Sequence, residues 1–385
     1  MKTINRALSL LLTCVLLCLL CACSGNASST AEAEKGADAS SAAEPTTKPD
    51  EIEALLRQMS TEEKVGQLFY VRCPEENAED VIRNCHLGAL LLFGRDFEGK
   101  TADEIRADVA RYQSAAKVPM LIGVDEEGGT VVRVSDNPNL RDAPFDSPRN
   151  TFQNGGWDAV EKAEGEKADL LLSLGININN APVCDVTGNP DSFMYDRSFS
   201  GDAQEAAEYV RRAVTVCKDK KLGSVLKHFP GYGDNADTHE TDSYDSKTIE
   251  TFRAVDFVPF QSGFTAGAGA VMVSHNIVAC MDGENPASLS PEVHRVLREE
   301  LGFDGVIVTD DLVMAAISED TDASDAAVKA VKSGNDLLCC SEPETQYNAV
   351  LAAVKSGEIT EERIEESVKR ILKWKQSLGL LPSAQ

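Results

Sequence analysis

From residue 51 onward the chain alternates between short apolar runs and longer stretches in which apolar positions recur every three or four residues. The short runs are Gly66 to Val71, Gly88 to Phe93, Pro119 to Asp125, Ile176 to Ala181, Ser224 to His228, Ala270 to Ser274, Gly305 to Asp310 and Asp336 to Cys339. Each is too short for a helix and mostly apolar, the pattern of a strand buried on both faces. Between them, Thr101 to Ala116, Ala203 to Lys220 and Leu289 to Leu301 have helical spacing, and Ser60-x-x-Glu63 is a capping-box signature just ahead of the first run. Eight strands alternating with helices over about 335 residues predict one α/β domain, residues 51–385, folded as a single (β/α)8 barrel of the TIM type. A doubly wound sheet would place a glycine-rich turn after its first strand, and none follows Val71.

A barrel collects its chemistry at the C-terminal ends of its strands. The unusual polar residues fall there: Asp125 ends the third run, Lys227 and His228 the fifth, His275 the sixth and Asp310 the seventh. Asp310 closes a β-branched strand, where a carboxylate is costly unless it opens into a polar pocket; the plainer reading is a helix N-cap by Asp310 or Asp311. After His228 the chain runs Phe229-Pro230-Gly231-Tyr232-Gly233 into a loop bearing Asp237-Thr238-His239. A histidine titrates near neutrality and serves as acid and then base when a neighbour fixes its tautomer, a part Asp237 can take. On composition alone, the same loop reads as a solvated acidic segment with a stray histidine.

Two segments carry a resemblance that separates these readings. Val296-Leu297-Arg298 followed by Gly305-Val306-Ile307-Val308-Thr309-Asp310, together with Lys227-His228-Phe229-Pro230-Gly231-x-Gly233 and the Asp-x-His pair, resembles glycoside hydrolase family 3, and within it the β-N-acetylglucosaminidase branch. The resemblance runs from about Met59 to about Leu338. It implies that Asp310 is the nucleophile, that His239 is the acid/base in place of a second carboxylate, and that Asp237 orients it. It further implies that Asp125, Arg133, Arg197, Lys227 and His228 hold the sugar's hydroxyls, a task suited to charge-assisted hydrogen bonds. The implied reaction is exo-cleavage of terminal β-linked N-acetylglucosamine from cell-wall fragments or other glycans, with retention and no metal or organic cofactor. The chain departs from the family pattern at Val313, where a small or polar residue is usual, and at Tyr232, where histidine is common. The interval from Lys227 to His239 is also one residue shorter than expected.

Residues 1–22 hold Lys2 and Arg6 and then an uncharged apolar run, the form of a secretory signal. Leu20-Cys21-Ala22-Cys23 resembles a bacterial lipobox, with Cys23 as the lipidation site, and residues 23–50, rich in Ala, Ser, Glu, Thr and Pro, are expected to be a disordered tether. The expected location is extracytoplasmic, on the cell membrane, with contact through the lipid anchor only. Without residues 1–22, which carry two cations and no acids, 35 basic residues face 63 acidic ones, a formal charge of −28. Such a surface excludes nucleic acid as a partner. The seven cysteines left after Cys23 have no regular spacing and predict neither disulfides nor zinc. The expected assembly is a monomer acting on a carbohydrate. The competing readings are a related phosphorylase, an inactive sugar-binding lipoprotein and a metal-dependent barrel hydrolase drawing on His228, Asp234, Asp237, His239 and Asp242.

Overall fold

The computed structural model describes residues 51–382, apart from 236, 239–242, 315, 316 and 318–320. The expected signal, the tether with Cys23, and His239 and Asp242 therefore lie outside the described residues. Eight parallel strands follow the predicted order: β1 Phe69–Arg72, β2 Ala89–Leu92, β3 Leu121–Val124, β4 Ile178–Asn179, β5 Gly223–Phe229, β6 Ala270–Val273, β7 Val306–Thr309 and β8 Leu338–Cys340. Each pairs with the next in the chain from β1 to β7, and β8 returns to pair with β1. A bridge between Val308 and Leu337 joins β7 to the residue before β8 and completes the ring. The single α/β barrel is thus the observed fold, with helices between strands around the outside.

Strand burial explains why the runs read as continuous rather than alternating. Tyr70, Leu91, Leu121, Val225, Met272, Val306, Val308 and Cys339 pack together, while the neighbouring residues Phe69, Val71, Leu90, Ile122, Val271 and Ile307 pack in the two larger apolar clusters that include helix residues. Both faces are apolar because one fills the barrel and the other meets helices. The adjacent Cys339 and Cys340 fall on opposite sides of this division, as small buried apolar groups. Gly123 on β3 makes room for the bulkiest interior residue: a Cβ there would lie 1.9 Å from the Tyr70 hydroxyl.

Of the predicted elements whose bounds shift, two do so for reasons the structure shows. The first run, read as beginning at Gly66, starts later, because the Ser60–Glu63 capping box opens a helix, Thr61–Gly66, that carries through this glycine. A Cβ on Gly66 would sit 2.2 Å from the Cys85 carbonyl oxygen, so the residue marks a close helix contact and not a strand start. The helix expected over Leu289 to Leu301 is broken into a 3₁₀ turn Ala287–Leu289, an α-helical segment Pro291–Arg295 and a π turn Val296–Glu300. Ser290 caps the α segment through the Val293 amide and Pro291 fills its first position, which fixes the start two residues later than the periodicity implies.

The N-terminal end of the barrel is held by polar groups under cover. Asp336, fully buried before β8, accepts hydrogen bonds from Arg298, Arg370, Ser367 and the Ile307 amide. Arg298 also donates to the carbonyls of Phe303 and Gly305, so this member of the signature segment fixes where β7 begins. The Lys375 ammonium is fully buried and donates to Gln67 Oε1 at 2.7 Å.

Candidate active site

The opposite, C-terminal ends of the strands surround a cleft of about 380 Å³. Asp125, Arg133, Arg197, Lys227, His228 and Asp310 all line it, although their sequence positions span 185 residues from Asp125 to Asp310 (310 − 125). A second, larger cleft of about 540 Å³ begins at the shared Arg72 and extends over Glu75, Arg95 and Glu342. Of the predicted site residues these six line the smaller cleft; Asp237 is not among its lining residues.

Its wall is a ladder of alternating charges. Lys227 Nζ lies 2.6 Å from Asp125 Oδ1 and 2.7 Å from Glu127 Oε1. Arg197 grips the same Glu127 with two hydrogen bonds, Nη2 to Oε1 at 2.8 Å and Nε to Oε2 at 3.0 Å. Burial works against the charge on Glu127, yet Arg197 and Lys227 outweigh it and hold the carboxyl well below its usual range. Burial likewise opposes the Lys227 charge, and Asp125 and Glu127 more than restore it, so the ammonium is held more tightly than in a free lysine. Two cations and two anions thus neutralise one another in the wall.

The ladder continues into a histidine whose tautomer follows from its neighbours. Arg197 Nη2, which has only protons to give, lies 3.2 Å from His228 Nε2, so Nε2 accepts and Nδ1 carries the proton. That proton points at Asp185 Oδ2, 2.8 Å away. Asp185 also accepts from the amides of His228 at 3.0 Å and Tyr232 at 2.7 Å. Burial opposes its ionisation, and these contacts prevail and lower its pKa. Both nitrogens of His228 are engaged within the protein, which makes the ring a relay between Asp185 and Arg197 as it reaches the cleft.

Asp310 closes β7 with its amide donating to Val273 O at 3.0 Å, and its Oδ1 accepts from the Asp311 amide at 2.9 Å. Asp311 accepts from Ser341 Oγ at 2.7 Å and from the Val313 amide at 3.3 Å, and its carbonyl accepts from His275 Nε2 at 3.0 Å. His275 has Ser288 Oγ 2.7 Å from its other nitrogen. These contacts give His275 a place: it braces the turn that follows Asp310. Asp237 is half-buried on the loop after β5, whereas His239 lies outside the described residues.

Three contributors carry no mark in the sequence that assigns them to the site. Glu127 joins the ladder, while its twin Glu126 turns away to accept from the amides of Arg133, Val134 and Ser135. Asn180 and Asp185 follow β4, and Asn180 accepts from the Tyr70 hydroxyl at 3.2 Å. Asn180 lines the cleft, and its buried Nδ2 has no partner among the described residues. The usable signal is charge: Lys227 and Arg197 together need two carboxylates, and Asp125 supplies one. At the rim, Arg72 stacks 4.1 Å from the centre of the Phe93 ring. Among the described residues no group of three or more His, Cys, Asp or Glu is arranged to hold a metal ion.

A strand-end nucleophile candidate beside a sugar-sized cleft, on a (β/α)8 barrel, agrees with the relatives of this chain. The family model described as glycosyl hydrolase family 3 N terminal domain matches residues 60–374. The chain belongs to glycosyl hydrolase family 3. This family 3 barrel is 29% identical to a protein named beta-hexosaminidase LpqI from Mycobacterium tuberculosis over 381 residues, covering 95% of this chain and 96% of the relative. A beta-hexosaminidase of Stenotrophomonas maltophilia is 34% identical over 280 residues, 71% of this chain and 82% of that one. Among solved structures, a family 3 beta-N-acetylglucosaminidase from Paenibacillus sp. matches with a TM-score of 0.80 at 32% identity, over 85% of this chain. This chain spans 64% of that longer protein.

Proposed function

We propose that this family 3 barrel is a retaining β-N-acetylglucosaminidase that removes terminal β-linked N-acetylglucosamine from glycans, cell-wall fragments among them. The observation that carries the reading is the meeting of Asp310 with the Asp125–Lys227–Glu127–Arg197 ladder in one cleft at the barrel mouth. The relatives' names supply the sugar.

In this mechanism an Asp310 carboxylate oxygen bonds to the anomeric carbon as the glycosidic C–O bond breaks, and His239 gives its proton to the departing oxygen. The glycosyl ester on Asp310 is then opened by water. His239 takes the water's proton, the C1–O bond to Asp310 breaks, and the sugar leaves with its configuration retained. Asp237 orients the imidazole. Asp125, Arg133, Arg197, Lys227 and His228 hold the sugar's hydroxyls, with Asn180 beside them, and Glu127 and Asp185 brace the ladder. Attachment to the membrane through a lipid on Cys23 is part of the same reading and rests on the lipobox-like sequence and the tether after it.

The test is turnover of an aryl β-N-acetylglucosaminide, with and without phosphate, by the purified protein and by Asp310→Ala. The variant is expected to lose several orders of magnitude, and a fluorinated slow substrate to label Asp310. Label on Asp311 or Asp125 would reject the assignment, and turnover only with phosphate would replace hydrolysis by phosphorolysis.

A further inference from the structure

Tyr232 is the point at which the chain departs from its family's usual histidine, and the fold has built that side chain into the base of the catalytic loop. The residue is 2% exposed. Its ring meets Phe193 edge-on, with centroids 5.2 Å apart, and meets the His228 ring at the same separation. Its amide is held by the Asp185 carboxylate that also fixes His228. The hydroxyl at the far end forms a hydrogen bond with Thr238 Oγ1, and Thr238 is fully buried. Thr238 sits between Asp237 and His239. Burial, with the negative charge of Asp310 next in effect, keeps the phenol protonated far above its ordinary range. At working pH the group is a neutral, rigid hydroxyl.

Among the described residues the loop is also tied nearer its start, where Ser192 Oγ donates to Gly233 O, Thr187 Oγ1 to Asp234 Oδ1, and Asn235 Nδ2 to Asp245 Oδ2. We propose that Tyr232 is a positioning residue for proton transfer, its hydroxyl pinning Thr238, the residue that joins Asp237 to the acid/base of the proposed mechanism. The chain of contacts runs from Asp185 through the Tyr232 backbone and ring to Thr238. One carboxylate thereby sets both the sugar-side relay, His228, and the loop that bears the acid. The proposal rests on the glycosidase reading above.

The experiment compares kcat/KM of wild type, Tyr232→Phe, Thr238→Val and the double variant over β-N-acetylglucosaminides of graded leaving-group pKa, with melting temperature measured alongside. A misaimed acid costs most where the leaving oxygen needs its proton, so both single variants are expected to lose about ten- to a hundredfold on poor leaving groups and little on activated ones. The double variant is expected to lose no more than either single one, because both remove the same bond. Thr238→Ser, which keeps a hydroxyl, is expected to recover most of the Thr238→Val loss. A loss of equal size on every leaving group, or additive losses in the double variant, overturns the proposal and leaves Tyr232 as packing alone. If Tyr232→Phe does not fold, Thr238→Val removes the bond from the other side and decides the question in the same way. A wild-type protein that turns over none of these substrates refutes the glycosidase reading instead.

Discussion

Lys375 offers a test of how far burial governs charge at the closed end of the barrel. Its ammonium is fully buried, and burial brings its pKa from the ordinary 10.5 down to about 7. Between those values the unfolded chain binds a proton that the folded chain does not, so stability falls as pH falls through the window and levels off below about 7. A shift of about 3.5 units at 1.36 kcal/mol each limits the penalty to about 5 kcal/mol. Roughly 3 kcal/mol of it accumulates between pH 9.5 and pH 6. Lys375→Met keeps the apolar stem and removes the charge, but it strands Gln67 Oε1, at a cost of about 1–3 kcal/mol. The variant is therefore expected to be more stable than wild type by about 2–4 kcal/mol at pH 6 and equal or slightly less stable at pH 9.5. Urea unfolding of both proteins at several pH values between these limits measures the difference. A variant less stable than wild type at pH 6, or a difference that does not change with pH, refutes the argument and means that the lysine is charged and welcome in the fold.

The remaining predictions concern the cleft and the cell. Lys227→Met leaves Asp125 and Glu127 facing each other without their shared cation, so it is expected to cost about 3–5 kcal/mol of stability and most of the activity. A fall in melting temperature of at least about 5 °C, together with a collapse of kcat/KM, is the expected result, and an unchanged melting temperature refutes it. Cys23→Ser is expected to move the protein from the membrane fraction to the medium, because the two acyl chains of a diacylglyceryl group are what make such attachment stable; immunoblotting of fractions decides it.

The barrel is readable in the sequence because each strand needs a short apolar run with no partner information beyond itself. Boundaries are less so: Gly66 looks like the edge of a strand, yet the helix that Ser60 caps runs on to end at this glycine. The site divides along the same line. Asp125, Lys227, His228 and Asp310 announce themselves as charged or polar groups at strand ends. Glu127 and Asp185 do not, because their roles lie in partners 70 and 43 residues away. Asn180 is hidden for another reason: a polar residue just after a two-residue strand looks like any turn until it is seen lining the cleft with a buried amide nitrogen that has no partner among the described residues.

The neutral ladder has a bearing on which inhibitors this protein will accept. Because Lys227 and Arg197 are already matched by Asp125 and Glu127, that part of the wall has little net attraction for a charged ligand group of either sign, while Arg72 and Arg133 add positive charge to the lining. On the other side stand Asp310 and Asp311, both lining the same cleft. A sugar mimic is thus rewarded for carrying a positive charge on the side of the cleft lined by Asp310 and Asp311. Selectivity among such compounds then falls to shape, in the space bounded by Phe93, Val131, Val313 and Met314.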